Sequence, residues 1–311
     1  MKPKILLTGK RGQVGMELDA VLRRFADVAA FDHGDLELTK PRDVREAIRT
    51  IHPNIIVNAA AYTAVDRAES DSAMAHTINA EAPAVMAEEA KRIGAVLVHY
   101  STDYVFDGTK RTPYVEEDLP NPRNVYGRTK LAGEQAIQQS GAAYLIFRTA
   151  WVYGRRGKNF LLTVLRLATQ REELKIVSDQ IGAPTCASEI AAGTGQILER
   201  LCSEREDASS FSSFAGIYHM TAAGETSWYE FAKAILEEAG ENPESPWLAE
   251  ATDRRPVTAR RVIPIQTGEY PTPARRPAYS VLSNSRLART FGMQLKDWRA
   301  QLHSTFLEAP R

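Results

Sequence analysis

Two cysteines, Cys186 and Cys202, are all that the 311 residues contain. So few exclude a disulfide framework, and their spacing excludes a cysteine metal clip, so a reducing compartment suits the chain. No apolar run approaches the roughly 18 residues that a membrane-crossing helix needs. Met1 to Leu7 enter a short apolar strand pattern without the basic stretch and long apolar segment of a secretory leader. Charge of one sign is not in excess either, because 39 basic and 39 acidic side chains cancel. Nothing global therefore draws the chain to nucleic acid or to an anionic membrane. Internal repeats and long low-complexity tracts are missing as well. The expectation is a cytoplasmic, unexported protein whose partner is a small molecule.

What is present is enough apolar residue, 43% of the chain, to bury a sizeable core. Short apolar runs alternate with longer amphipathic ones: Ile5–Leu7, Val14–Arg24, Val28–Phe31, Pro41–Ile51, Ile55–Ala59, Ala82–Ile93 and Val96–Tyr100. This rhythm predicts an α/β fold, a Rossmann-like doubly wound parallel sheet with helices on both faces. Such sheets bind ligands beyond the carboxyl ends of their strands. The rhythm runs through Tyr144–Arg148 and then becomes irregular, which predicts a smaller α/β substrate-binding lobe. The expected boundaries are a dinucleotide-binding domain over 1–149, with 185–215 returning to it through the helix-like Ser188–Leu201, and a second lobe over 150–184 and 216–311. Ser203–Phe214, rich in serine and charge, reads as an exposed loop.

After the first strand run comes Thr8-Gly9-Lys10-Arg11-Gly12-Gln13-Val14-Gly15, then a helical pattern. Glycines serve a turn that is sharp, that must approach a pyrophosphate closely, and whose helix must sit tight on the strand. The helix start then offers unpaired N–H groups to phosphates. The spacing is Gly-x-x-Gly-x-x-Gly, and a bare glycine triplet can be only a turn; the preceding strand and following helix make it a cofactor site. Asp32 follows the second strand at the distance suited to an adenosine ribose, which favours NADH. Lys10 and Arg11 are cations within reach of a 2′-phosphate, so NADPH stays open.

Tyr126 and Lys130 lie four apart at the start of a helical segment, hence on one face. A tyrosine hydroxyl works as an acid or base near neutral pH when a cation favours its ionised form, and Lys130 can supply that charge. Alone, such a pair is an ordinary surface feature. Here it follows Tyr100-Ser101-Thr102-Asp103-Tyr104-Val105-Phe106-Asp107-Gly108, a strand end whose hydroxyls would stand at the sheet's carboxyl edge.

Glycine turn, hydroxyl-bearing strand end and Tyr-x-x-x-Lys, in that order, resemble the extended short-chain dehydrogenase/reductase superfamily. Asn58 to Asp66 with Glu69, Ser101 to Gly108, Asn124 to Glu134, Arg148 to Gly154 and Asp179 to Thr185 together resemble the dTDP-4-dehydrorhamnose reductases, and the likeness continues to Arg276-Pro277 and Ser283 to Leu287. The resemblance implies NAD(P)H-dependent reduction of the 4-keto group of a dTDP-linked sugar. It implies catalytic roles for Thr102, Tyr126 and Lys130, with Ser101 a weaker hydroxyl candidate. It also implies cofactor contacts at Gly9, Gly12, Gln13, Val14, Gly15, Asp32, Ala61, Tyr62, Thr63, Tyr100, Tyr126 and Lys130. Thr102, Asp103 and Trp151 match substrate positions, although a tryptophan in itself is more often a core residue.

Arg254, Arg255, Arg275 and Arg276 are candidates for a substrate diphosphate or for a solvated basic loop. Some relatives pair through Mg²⁺ held by carboxylates. Glu189 could correspond to one such ligand, but Asp297 and Glu308 are arranged differently from the glutamates expected with it, so Mg²⁺ stays possible but unassigned and a homodimer is left open. Two alternatives share the motifs: a nucleotide-sugar epimerase or dehydratase that retains its NAD⁺, and a non-catalytic regulatory subunit of methionine adenosyltransferase.

Overall fold

A computed structural model describes residues 2–203, 211 and 213–307. The main sheet has six strands: β1 (Lys4–Thr8), β2 (Asp27–Phe31), β3 (Ile55–Asn58), β4 (Val96–Thr102), β5 (Ala143–Thr149) and β6 (Gly216–His219). Their order is β6-β5-β4-β3-β1-β2 and every pairing is parallel. The chain winds one way from β1 to β2 and then the other way from β3 onward. The carboxyl ends of β1 and β3 therefore form the switch point at which such sheets hold ligands.

Successive strand side chains face opposite sides, and each side has its own core. Ile5, Leu7, Val57, Val98 and Phe147 face the helices Gln13–Leu22 and Ala187–Ser203 through Leu18, Leu22, Ile190 and Leu198. Leu6, Ile56, Leu97 and Ile146 face the other way, onto Pro41–Ile51, Ala82–Ile93 and Val125–Ser140 through Ile48, Met86, Ala90 and Ile137. Strands buried on both faces are continuously apolar, which is why these runs lack the alternation of a half-exposed sheet.

A second core gathers Leu161, Val164, Leu165, Phe231, Ile235, Trp298, Leu302 and Phe306. Around it lie the helices Phe160–Ala168, Trp228–Glu241 and Trp298–Leu307, with Glu173–Val177 paired in parallel to Arg261–Ile265. The expected start of the second lobe at residue 216 does not match the structure. Gly216–His219 pairs with β5 as the sheet's edge, and Leu287, Phe291 and Leu295 also pack into the first lobe's core. A four-residue strand entered from a serine- and charge-rich stretch carries too short an apolar run to announce its sheet. Most of the Ser203–Phe214 loop expectation lies outside the described residues, while Phe211 is buried in the first core.

Candidate active site

The turn after β1 is shaped by contacts that only glycine permits. Gly9 has φ +77°, and a Cβ there would stand 2.7 Å from the Ala60 nitrogen. A Cβ on Gly15 would stand 2.0 Å from the Gly9 carbonyl oxygen, so helix and turn touch backbone to backbone. Gly12 caps the Gln13–Leu22 helix without any side-chain bond, leaving the first amides free to receive an anion. From the second lobe, Asn159 reaches across and donates to the Gln13 amide oxygen at 2.8 Å.

Beside this turn runs a cleft of about 510 Å³ along the carboxyl ends of the strands. Gly9, Gly12, Gln13, Val14, Asp32, Ala61, Thr63, Tyr100, Tyr126 and Lys130 all line it. Gly15 lies beneath the turn as packing. Tyr62 departs from its expected place: its hydroxyl donates to Asp71 at 2.9 Å and its amide to Asn79, which turns the residue out of the cleft lining. Asp32 is buried, accepts from the Gly34 amide at 2.8 Å, and is ion-paired with Arg11 at 2.6 Å. Lys10 pairs with Asp35, also at 2.6 Å. Both cations expected near a 2′-phosphate are thus held by carboxylates after β2, and only the largely exposed Arg11 lines the cleft.

Thr102 ends β4, donates to Asp103 at 3.0 Å and accepts from the Tyr104 amide. Tyr126 stands in the first turn of the Val125–Ser140 helix, which Asn124 caps by accepting from the Gly127 amide at 2.8 Å. A Cβ at Gly127 would lie 2.2 Å from the Tyr104 carbonyl oxygen, so this glycine lets the helix start press against the turn after β4. The rings of Tyr104 and Tyr126 meet edge-on, 5.5 Å apart. Burial raises the Tyr126 pKa, the Thr102 hydroxyl opposes that rise by hydrogen bonding, and Asp103 and Tyr104 add to it. The phenol consequently keeps its proton at neutral pH, the form a proton donor requires.

Lys130, one turn on, is almost wholly buried. Its Nζ donates to the Tyr100 carbonyl at 2.7 Å and lies 3.1 Å from His99 Nε2. Burial brings its pKa down to about 8, against the pull of Glu134. His99 had no role in the sequence reading. Its signal was there, a lone histidine inside an apolar strand run. Ser101 and Thr149 also line the cleft, and their buried hydroxyls lack a hydrogen-bond partner among the described residues.

Asp103 is buried with one carboxylate oxygen lacking a hydrogen-bond partner among the described residues, and burial lifts its pKa to about 6 against the opposing influence of Ser280 and Thr102. Trp151 stands apart from the cleft lining. Its ring stacks on Trp228 at 3.5 Å and 4°, and its backbone holds φ +47°, a strained conformation for tryptophan. Of the candidate arginines, Arg276 is tied to Asp66 at 2.8 Å, while Arg254, Arg255 and Arg275 are exposed. Glu189 pairs with Lys296 at 3.2 Å, Asp297 accepts from the Arg299 amide, and Glu308 lies outside the described residues.

A doubly wound sheet with a glycine turn at its switch point and a threonine, tyrosine and lysine along one carboxyl edge defines an extended short-chain dehydrogenase/reductase. Comparison with known proteins narrows the class. The family model described as RmlD substrate binding domain matches residues 2–309. The dTDP-4-dehydrorhamnose reductase of Burkholderia thailandensis is 50% identical over 296 residues, 95% of each chain, and that of Escherichia coli K12 is 43% identical over 95% of this chain and 94% of its own. Among solved structures, a dTDP-4-dehydrorhamnose reductase from Bacillus anthracis in complex with NADP superposes with a TM-score of 0.85 at 34% identity, covering 99% of this chain and 100% of that one. The chain belongs to the dTDP-4-dehydrorhamnose reductase family.

Proposed function

We propose that this protein reduces the 4-keto group of dTDP-4-dehydro-β-L-rhamnose to dTDP-β-L-rhamnose with NADPH or NADH. The observation that carries the reading is the placing of Tyr126 and Lys130 in the lining of a cleft built on the Gly9–Gly15 turn, with the Thr102 hydroxyl just behind that lining against Tyr126, in a chain with about half its residues identical to a reductase of that name. The reduced nicotinamide supplies a hydride to the sugar's C4.

The chain's own task is the carbonyl oxygen, which gathers negative charge. Tyr126, held protonated by its enclosure, donates the proton that completes the hydroxyl. Thr102 holds its one hydroxyl proton on Asp103 and accepts from the Tyr104 amide, and turning that proton from Asp103 to the carbonyl oxygen makes it a second donor for the developing charge. Lys130, as its ammonium, favours the phenolate that remains. The free amides at the Gly12 cap suit a pyrophosphate, and Asp32 suits a ribose hydroxyl. Arg11 is the cation that could leave Asp32 for a 2′-phosphate, which makes use of both cofactors reasonable.

The test is consumption of NADPH or NADH with dTDP-4-dehydrorhamnose, with the sugar product identified by NMR. Tyr126→Phe should lose about 10²–10⁴-fold in kcat while still binding cofactor. A folded wild type that binds cofactor and consumes none would refute the proposal and favour the regulatory reading. Tightly retained NAD⁺ with interconversion of sugar epimers would favour the epimerase instead.

A further inference from the structure

Behind Lys130 lies a buried chain of polar side chains that no step above employs. Thr8 on β1 donates its hydroxyl to Asn58 Oδ1 at 2.7 Å, and the Ala60 amide donates to the same oxygen at 3.2 Å. Asn58 faces its register partner His99, with Asn58 Nδ2 3.1 Å from His99 Nδ1. His99 Nε2 then meets Lys130 Nζ at 3.1 Å. Asn58, His99 and Lys130 are all buried.

The direction of every proton in this chain follows from one backbone amide. Ala60 N–H can only donate, so the Asn58 atom facing it is the oxygen and the atom facing His99 is the amide nitrogen. That nitrogen is a donor, so His99 Nδ1 must accept. The ring is then neutral with its proton on Nε2, in keeping with burial and the neighbouring lysine, which push its pKa well down. Nε2–H points at Lys130 Nζ. A free amine has a lone pair to receive it, whereas an ammonium sets donor against donor.

We propose that His99, held as its Nε2–H tautomer by Asn58, is a positioning residue that docks the neutral amine of Lys130 and releases the ammonium toward the cleft. Charge and position of Lys130 become one variable. The amine is parked against β4, and protonation breaks the His99 contact and leaves Nζ to the Tyr126 side of the cleft. The other ionisable groups around it are Glu134 on its own helix, paired with Arg148 of β5, Tyr126 one turn back, and Tyr100 of β4, whose hydroxyl is taken up by Thr194. Glu134 favours the ammonium and Arg148 offsets part of that pull, so His99 works against a modest bias.

Two measurements on ligand-free protein test this, and neither needs turnover, so the proposal stands or falls separately from the proposed function. First, ¹⁵N NMR of histidine-labelled protein should show His99 neutral and protonated on Nε2; a proton on Nδ1, or on both nitrogens, overturns the proposal. Second, Asn58→Asp keeps the acceptor for Thr8 and Ala60 but turns the donor facing Nδ1 into an acceptor. His99 should switch to its Nδ1–H tautomer, and its freed Nε2 lone pair should welcome the ammonium. The Lys130 titration, followed by ¹³Cε NMR and assigned with Lys130→Arg, should then move up by about one pH unit or more, a shift to which the new carboxylate contributes.

His99→Gln supplies the arm free of added charge, and there too the titration should rise; unchanged titration in this variant overturns the coupling. Should the variants fail to fold, the wild-type tautomer and the wild-type Lys130 titration still decide. A Lys130 titrating at the ordinary lysine value, near 10.4, overturns the docking of the amine.

Discussion

Replacing Glu134 by glutamine removes one half of a fully enclosed ion pair. Arg148 donates to both Glu134 oxygens, at 2.9 and 2.7 Å, and the two side chains are 2% and 0% exposed. Little else compensates the guanidinium: it lies 5.1 Å from the Phe106 ring centroid, and its remaining nitrogen, Nη1, has no hydrogen-bond partner among the described residues. Glutamine preserves shape but leaves a buried charge unanswered, which typically costs about 3–5 kcal/mol. At about 2 °C per kcal/mol for a chain of this length, the melting temperature should fall by about 6–10 °C.

The companion variant Glu134→Met/Arg148→Met removes both charges and should recover most of that loss, because a buried pair replaced by apolar side chains is often neutral in stability. Thermal melts and urea titrations of the single and double variants read both values. A glutamine variant within about 1 kcal/mol of wild type, or a double variant no better than the single, would sink the reasoning. Glu134 also favours the Lys130 ammonium against burial. The Lys130 titration should therefore fall below about 8 in Glu134→Gln, a readout that mere loss of packing would not move.

Two further outcomes follow from the site. Burial raises the Asp103 carboxyl to about 6, so the folded protein holds a proton there that the unfolded chain releases, and stability declines as pH rises from the ordinary carboxylate value toward 6. Asp103→Asn should gain melting temperature over wild type above that range and lose the advantage below about pH 4, as parallel melts across pH would show; a gap independent of pH contradicts the assignment. Gly9→Ala places a Cβ 2.7 Å from the Ala60 nitrogen at φ +77°. Its left-handed backbone alone costs about 1–2 kcal/mol, so NADPH affinity, read by fluorescence titration, should weaken about tenfold or more, and unchanged affinity would remove the turn from the cofactor site.

Much of this was legible in order along the chain. Hydrophobic period assigned β1 to β5 and the helices between them, because strands buried on both faces and helices buried on one leave different spacings. The glycine turn and the four-residue step from Tyr126 to Lys130 are local relations, and local relations survive in a sequence. The edge strand Gly216–His219 was missed because its sheet membership depends on β5, remote in sequence. The direction of Tyr62, away from the cleft lining, was not legible because it is set by Asp71 and Asn79, beyond one and two short helices.

By itself, then, the sequence determined the doubly wound fold and offered candidates for holding a dinucleotide and for the set of hydroxyls and amine, since each rests on periodicity, backbone freedom or side-chain chemistry. Tertiary structure alone decided which protons those groups carry. The Tyr126 phenol is kept neutral by enclosure, and the Lys130 amine is brought within reach of neutrality by burial and met by His99. Protonation depends on desolvation and on neighbours brought together from β1, β3 and β4, and no spacing along the chain records that proximity.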